Sequence, residues 1–309
     1  MEAIVYRSTG SWYDLRTTAG ESWKARIKGV FKIEGLRSTN PIAVGDVVDF
    51  EVDNELEKTG IITHIHDRRN YISRQSPSHR KQRHIVASNI DQSLLVATIR
   101  EPRTSSGFLD RFLVATEAYH VPAIIVVNKM DTWQEKDKAV FTAWQHIYEG
   151  IGYTVLAISA QTGEGLAAVQ QALQHKTTLL SGHSGVGKST LLNTLVPYWN
   201  LRTGDVSSWS GKGMHTTTFA EMFDLPFGGR VVDTPGIREF GIVDVRREEL
   251  SHYFPEMRQL LEHCQFNNCL HINEPGCAVK AALEAGSISP ERYCSYLNIL
   301  DSIPENHWD

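Results

Sequence analysis

The alternation of apolar and polar positions divides the chain into three stretches. Val47-Val48-Asp49-Phe50-Glu51-Val52 alternates with period two, as a half-buried strand does, and Gly60-Ile61-Ile62-Thr63-His64-Ile65 reads as the next strand. Ser11-Trp12-Tyr13-Asp14-Leu15 and Trp23-Lys24-Ala25-Arg26-Ile27 are earlier, aromatic-rich strands parted by the turn Thr18-Ala19-Gly20-Glu21. Short strands joined by glycine turns predict an all-β barrel over residues 1–72, with the oligonucleotide-binding (OB) type first in line. Turn residues and scattered arginines over 73–85 predict a basic linker. Near Ile85 the pattern becomes continuous: 94–99, 123–127 and 154–158 are apolar runs typical of strands buried on both faces, and Thr177-Thr178-Leu179-Leu180 reads as a short strand. Helical patterns at 108–115, 139–144 and 190–195 lie between or after them, so residues 86–244 are expected to form an α/β unit with a parallel sheet. From Val245 an amphipathic helix start, and a later helix opened by Ser289-Pro290, predict a helical unit over 245–309.

The 309 residues suffice for two or three cores. A net charge of −5 argues against nucleic-acid binding by the whole surface, so any such face is local. One candidate is Lys24, Arg26, Lys28, Lys32 and Arg37, opposed only by Glu34, with Trp12, Tyr13 and Trp23 as stacking partners. A solvated strand face with its aromatics in the core fits the composition equally well. The run Arg68, Arg69, Arg74, Arg80, Lys81 and Arg83 beside the barrel is the second candidate for phosphate contact. No apolar run approaches the ~18 residues of a membrane helix, and no secretory signal pattern opens the chain, so no membrane and a cytoplasmic location are expected. A monomer is expected.

Gly182-His183-Ser184-Gly185-Val186-Gly187-Lys188-Ser189 fits G-x-x-x-x-G-K-[ST], the phosphate-binding loop, between a strand and a helix. Its glycines let backbone N–H groups converge on an anion at a helix N-terminus. Lys188 is suited to the β- and γ-phosphates and Ser189 to Mg²⁺, with Thr190 completing the candidate nucleotide contacts. Two earlier strands end in Asn128-Lys129-Met130-Asp131 and in Ser159-Ala160-Gln161. These resemble the guanine-reading N-K-x-D and S-A-x motifs of translation-factor-class GTPases. A carboxylate at Asp131 can accept both N1–H and N2–H₂ of guanine, Asn128 and Lys129 would brace the base, and an N–H near Ala160 would meet guanine O6.

Asp233-Thr234-Pro235-Gly236 matches D-x-x-G, with Asp233 on the Mg²⁺ side and Gly236 at the γ-phosphate. One of Thr216, Thr217 and Thr218, taken as Thr217, is the expected switch I ligand of Mg²⁺. Base-reading motifs precede the phosphate loop here, the reverse of an ordinary GTPase, so the domain is expected to be circularly permuted. Ile237 stands where many GTPases place a water-orienting glutamine, which makes His215 the candidate catalytic residue. Cys264, Cys269, His271 and Cys277, spaced C-x₄-C-x-H-x₅-C, suit a closed, structural tetrahedral zinc site, while Cys294 is expected to pack.

Barrel, permuted GTPase motifs and zinc spacing together resemble the ribosome small-subunit-dependent GTPase A family over nearly the whole chain; Gly35-Leu36-Arg37-Ser38-Thr39-Asn40-Pro41 is also similar to the family's barrel. The resemblance implies a GTPase that cycles between GTP and GDP, binds the small (30S) ribosomal subunit and its rRNA, and acts late in subunit maturation with subunit-stimulated turnover. One departure is that many members carry a longer basic N-terminal extension, whereas this chain starts almost at the first strand. Two other readings use the same motifs: a regulatory GTPase acting on a non-ribosomal protein, and an RNA-binding switch with a passive nucleotide clamp.

Overall fold

A computed structural model describes residues 1–27, 41–75, 83–196, 220–234 and 245–304, with backbone only for Arg74, Gln75, Arg83 and His84. Strands β1 (Glu2–Ser8), β2 (Tyr13–Thr17), β3 (Ser22–Ile27), β4 (Val47–Asn54) and β5 (Thr59–Ile65) pair in the order β1-β2-β3-β5-β4, and β4 returns to β1 to close a five-stranded barrel. Alternate residues point inward as the period-two pattern requires: Ala3, Val5, Tyr13, Leu15, Trp23, Ala25, Val48, Phe50 and Ile62 fill the interior. Tyr13 and Trp23 therefore belong to the core and do not form a stacking face; Trp12 stays exposed. A small barrel needs large side chains to fill its lumen, and two of the three aromatics are used that way.

The stretch expected as a linker is flanked by paired strands, β6 (Tyr71–Gln75) and β7 (Arg83–Ser88), which form an antiparallel hairpin. Ile72 and Ala87 are buried against the α/β core, and that burial, hidden in sequence behind the basic residues, makes these ends strands rather than linker. Asp46 anchors the barrel to this hairpin. Its carboxylate takes two bonds from Arg68, at 2.6 and 2.7 Å, and one from the Ser88 hydroxyl at 2.6 Å.

The second unit carries β8 (Gln92–Thr98), α1 (Ser106–Ala118), β9 (Ala123–Asn128), α2 (Glu135–Gly150), β10 (Thr154–Ala157), α3 (Leu166–Leu173), β11 (Thr177–Ser181), α4 (Lys188–Leu195), β12 (Glu221–Asp224) and β13 (Arg230–Asp233). Its strand order is β10-β9-β8-β11-β13-β12, parallel except for β12. The continuous apolar runs are buried on both faces, with α1 and α2 covering one side and α3 and α4 the other. β12 also pairs with β1, so barrel and α/β sheet share a strand edge. Tyr6 seals that seam, donating to Asp224 at 2.6 Å and accepting from Arg230 at 3.0 Å.

The C-terminal unit contains α5 (Pro255–Arg258), α6 (Ala278–Glu284) and α7 (Pro290–Ser302). The amphipathic helix expected after Val245 is a 3-10 helix, Arg247–Tyr253, cut short because Pro255 holds Phe254 in an extended conformation. The unit docks on α1 through a buried cluster. Arg292 donates to Asp110 at 2.6 Å and to both Glu256 oxygens at 2.7 and 3.1 Å, and its guanidinium lies 4.6 Å from the Phe254 ring centroid. No helix among the described residues is long and apolar enough to cross a membrane.

Candidate nucleotide site and metal centre

β11 delivers the glycine loop and α4 leaves it, both at the centre of the sheet. Gly182 and Gly187 both adopt positive φ, and a Cβ at either would lie 2.3 Å from another group, the Val96 carbonyl or the Asn128 amide respectively. Only glycine fits there, for conformational and steric reasons together. The Lys188 ammonium curls into the loop, donating to the carbonyls of Gly182 at 2.6 Å and His183 at 2.7 Å. Burial holds it below the usual lysine range, and nearby Asp233 opposes that shift. Asp233 ends β13, and burial pushes its carboxyl up to about 6 against the pull of Lys188 and the Thr234 N–H. Ser189 is buried in the first turn of α4.

Asn128 joins three motifs into one site. Its amide donates to the Val186 carbonyl at 2.9 Å, and its oxygen accepts the Ala160 N–H at 2.9 Å, so the base-reading loops and the phosphate loop are held as a unit. The Ala160 N–H expected for guanine is thus engaged with Asn128. Ser159 is fully buried and caps its own loop by accepting the Thr162 N–H at 3.1 Å. Asp131 is exposed in the 3-10 turn Met130–Thr132, and Lys129, at positive φ, donates to the Glu101 carbonyl. The segment after β8 is a contributor that motif reading missed: Glu101 meets Lys129, and a Cβ added at Gly185 would meet the Pro102 ring at 3.4 Å. No motif marks it; only strand order, which sets β8 between β9 and β11, places it there.

His215, Thr216, Thr217, Thr218, Gly236 and Ile237 lie outside the described residues, as do Lys28, Arg80, Lys81 and the 35–40 phrase. Arg26 pairs with Asp53 at 3.4 Å and sits 5.9 Å from the Trp12 ring, while Lys24 is exposed on the same strand.

Cys264, Cys269, His271 and Cys277 converge, their ligand atoms all within 4.8 Å of one another. His271 Nδ1 lies 3.3 Å from the Cys277 sulfur and 3.7 Å from that of Cys264. Three sulfurs and one imidazole nitrogen at this spacing fit a tetrahedral divalent ion. Burial and the neighbouring sulfurs push the Cys269 thiol up to about 12, a penalty that a bound cation offsets. Cys294 stands apart from the cluster and is exposed rather than packed.

A central phosphate loop on β11, with base-reading loops on strands that come earlier in the chain, defines a circularly permuted P-loop GTPase domain between a barrel and a Cys₃His unit. Residues 65–243 match the RsgA GTPase model and residues 2–62 the RsgA N-terminal domain model; the chain belongs to the RsgA GTPase family and is a GTP hydrolase. It is 51% identical to a "Small ribosomal subunit biogenesis GTPase RsgA" of Flavobacterium psychrophilum, over 99% of this chain and 94% of that one. A protein of the same name from Bacteroides fragilis is 47% identical over 100% and 99% of the two chains. Among solved structures, YjeQ from Thermotoga maritima aligns with a TM-score of 0.80 at 32% identity, covering 99% of both chains. YloQ, described as a circularly permuted GTPase, aligns with a TM-score of 0.76 at 30% identity, covering 99% and 96%.

Proposed function

We propose that this GTPase acts in the biogenesis of the small ribosomal subunit, binding the subunit and its rRNA late in maturation and hydrolysing GTP faster in its presence. End-to-end similarity to proteins named for that process carries the reading. The working units are the barrel of residues 1–72, the basic segment 73–85, the GTPase unit 86–244 and the metal unit 245–309.

On this reading Asp131 reads guanine, with Asn128 and Lys129 bracing its loop, and the base oxygen takes an N–H beside Ala160 rather than Ala160's own. The backbone of Gly182 to Thr190 and the Lys188 ammonium bind phosphate. Ser189, Thr217 and Asp233 are the protein groups for Mg²⁺, which when bound neutralises charge developing on the phosphates. Gly236 meets the γ-phosphate and His215 orients the attacking water. Zinc is the ion proposed for the Cys₃His set, in a structural role because all four positions are taken by protein. The protein works as a cytoplasmic monomer.

GTP turnover with and without purified small subunits tests the reading. His215→Ala should lose most of the stimulated rate while keeping GTP affinity and GTP-dependent subunit binding. An absence of any stimulation in the parent protein would favour a non-ribosomal partner. Unchanged stimulated turnover in His215→Ala would remove that residue from the mechanism.

A further inference from the structure

We propose that Phe108 is a positioning residue for the phosphate loop, holding its second residue, His183, by a ring-on-ring contact. The inference rests on the reading of Gly182 to Ser189 as the nucleotide site. The two ring centroids are 3.6 Å apart with planes inclined by 30°. That is closer than the usual ~4.5–7 Å of aromatic pairs, so the two tilted rings are in direct contact. His183 presents its carbonyl to Lys188 at 2.7 Å, so a rotation at residue 183 moves an oxygen on which that lysine rests.

Phe108 itself is held firmly. Its N–H donates to the Ser105 hydroxyl at 3.2 Å, the N-cap of α1. Two residues on, Asp110 is locked by Arg292 at 2.6 Å, and Arg111 donates to Ser302 at 3.3 Å. The first turns of α1 are thereby fixed to the C-terminal unit while Phe108 touches the loop. A cavity of about 550 Å³ opens beside the pair, lined by Arg111, Ser295, Asn298 and Ile299 among others. That space leaves room for the His183 ring to shift once the Phe108 ring is gone. A loop with glycines at positive φ loses much entropy on ordering, and an anchor made before the nucleotide arrives lowers that cost.

The test is nucleotide titration of the full chain with GDP and with a non-hydrolysable GTP analogue, alongside KM and kcat for basal hydrolysis. Phe108→Ala should raise Kd for both nucleotides by about two- to tenfold, the range expected for an aromatic pair, with KM rising alike and kcat unchanged. Phe108→Tyr should restore parental values. His183→Ala should match Phe108→Ala, and the double variant should be no worse than either single one. Unchanged Kd in Phe108→Ala, additive losses in the double variant, or no rescue by tyrosine would each overturn the proposal. Lys188→Ala is the control. If it retains full nucleotide affinity, the reading of the site fails and this inference with it; if it loses affinity while Phe108→Ala does not, only this inference falls.

Discussion

At the scale of single residues, Asp131 and Asn128 have separable jobs. Asp131 is exposed in its turn and on the proposed reading serves the ligand, so Asp131→Asn should leave stability unaltered. Exchanging an acceptor for a donor forfeits a charge-assisted bond of about 1.5–3 kcal/mol, which is roughly a ten- to hundredfold loss in GTP affinity. Xanthosine triphosphate, with an oxygen where guanine has its amino group, should bind better in that variant. Equal GTP affinity in Asp131→Asn would end the base-reading assignment. Asn128 instead works inside the protein. Asn128→Ala strands the Val186 carbonyl and the Ala160 N–H, at about 1–3 kcal/mol for each buried group left without a partner. Urea denaturation without nucleotide should show a lower midpoint; an unchanged midpoint would confine Asn128 to ligand contact. The motif spacing placed these residues at a common site. It could not assign Asn128 to ligand or to scaffold, because both tasks use the same amide.

At the scale of elements, the metal cluster is fused with a small core. Cys269 and Cys277 are buried among Val279, Met257, Tyr296 and Ile299, and the Cys277 sulfur accepts the Lys280 N–H at 3.5 Å where α6 begins. A metal bound there would therefore supply folding free energy to this unit. Elemental analysis of protein purified without chelators should find one zinc per chain, and its absence would sink the assignment. After stripping, amide exchange should rise first in the C-terminal unit, while the α/β sheet stays protected. The grouping of the four Cys and His residues was legible from spacing alone, as were the long apolar strands. Less legible were the elements whose signal is shared with another purpose. Tyr71-Ile72-Ser73 and Ile85-Val86-Ala87 flank a basic run that masks their pairing. Trp23 looks the same in sequence whether it fills a barrel or faces a base. Asp110 sits within the apolar stretch Phe108-Leu109-Asp110-Arg111-Phe112-Leu113, yet nothing in that stretch names Arg292, 182 residues away, as its partner.

At the scale of the whole molecule, the shared sheet edge and the α1 contacts join barrel, GTPase and metal units, so a partner gripping the barrel also bears on the nucleotide domain. On the proposed reading, how strongly the barrel would grip rRNA depends on how many cations remain for phosphate. Arg68 is nearly buried and spent on Asp46, so it does not count toward binding, while Arg69 is tied to Asp91 at 2.9 Å and to the Asn89 carbonyl at 3.2 Å. Arg26, half-exposed and 3.4 Å from Asp53, can exchange a weak surface pair for a phosphate; Lys24 is exposed beside it. With Lys28, Arg74, Arg80, Lys81 and Arg83 the proposed footprint holds seven cations, and not all of them need engage. Each contact contributes roughly 0.7–0.9 to the slope of log affinity against log salt. Binding to purified small subunits should therefore weaken steeply as salt rises. Replacing Lys24 and Arg26 together by glutamine should reduce the slope by about 1–2, while nucleotide affinity and thermal stability stay at parental values. A slope unchanged by that double substitution would take β3 off the RNA face, and a flat salt dependence in the parent would mean that protein surfaces carry the contact.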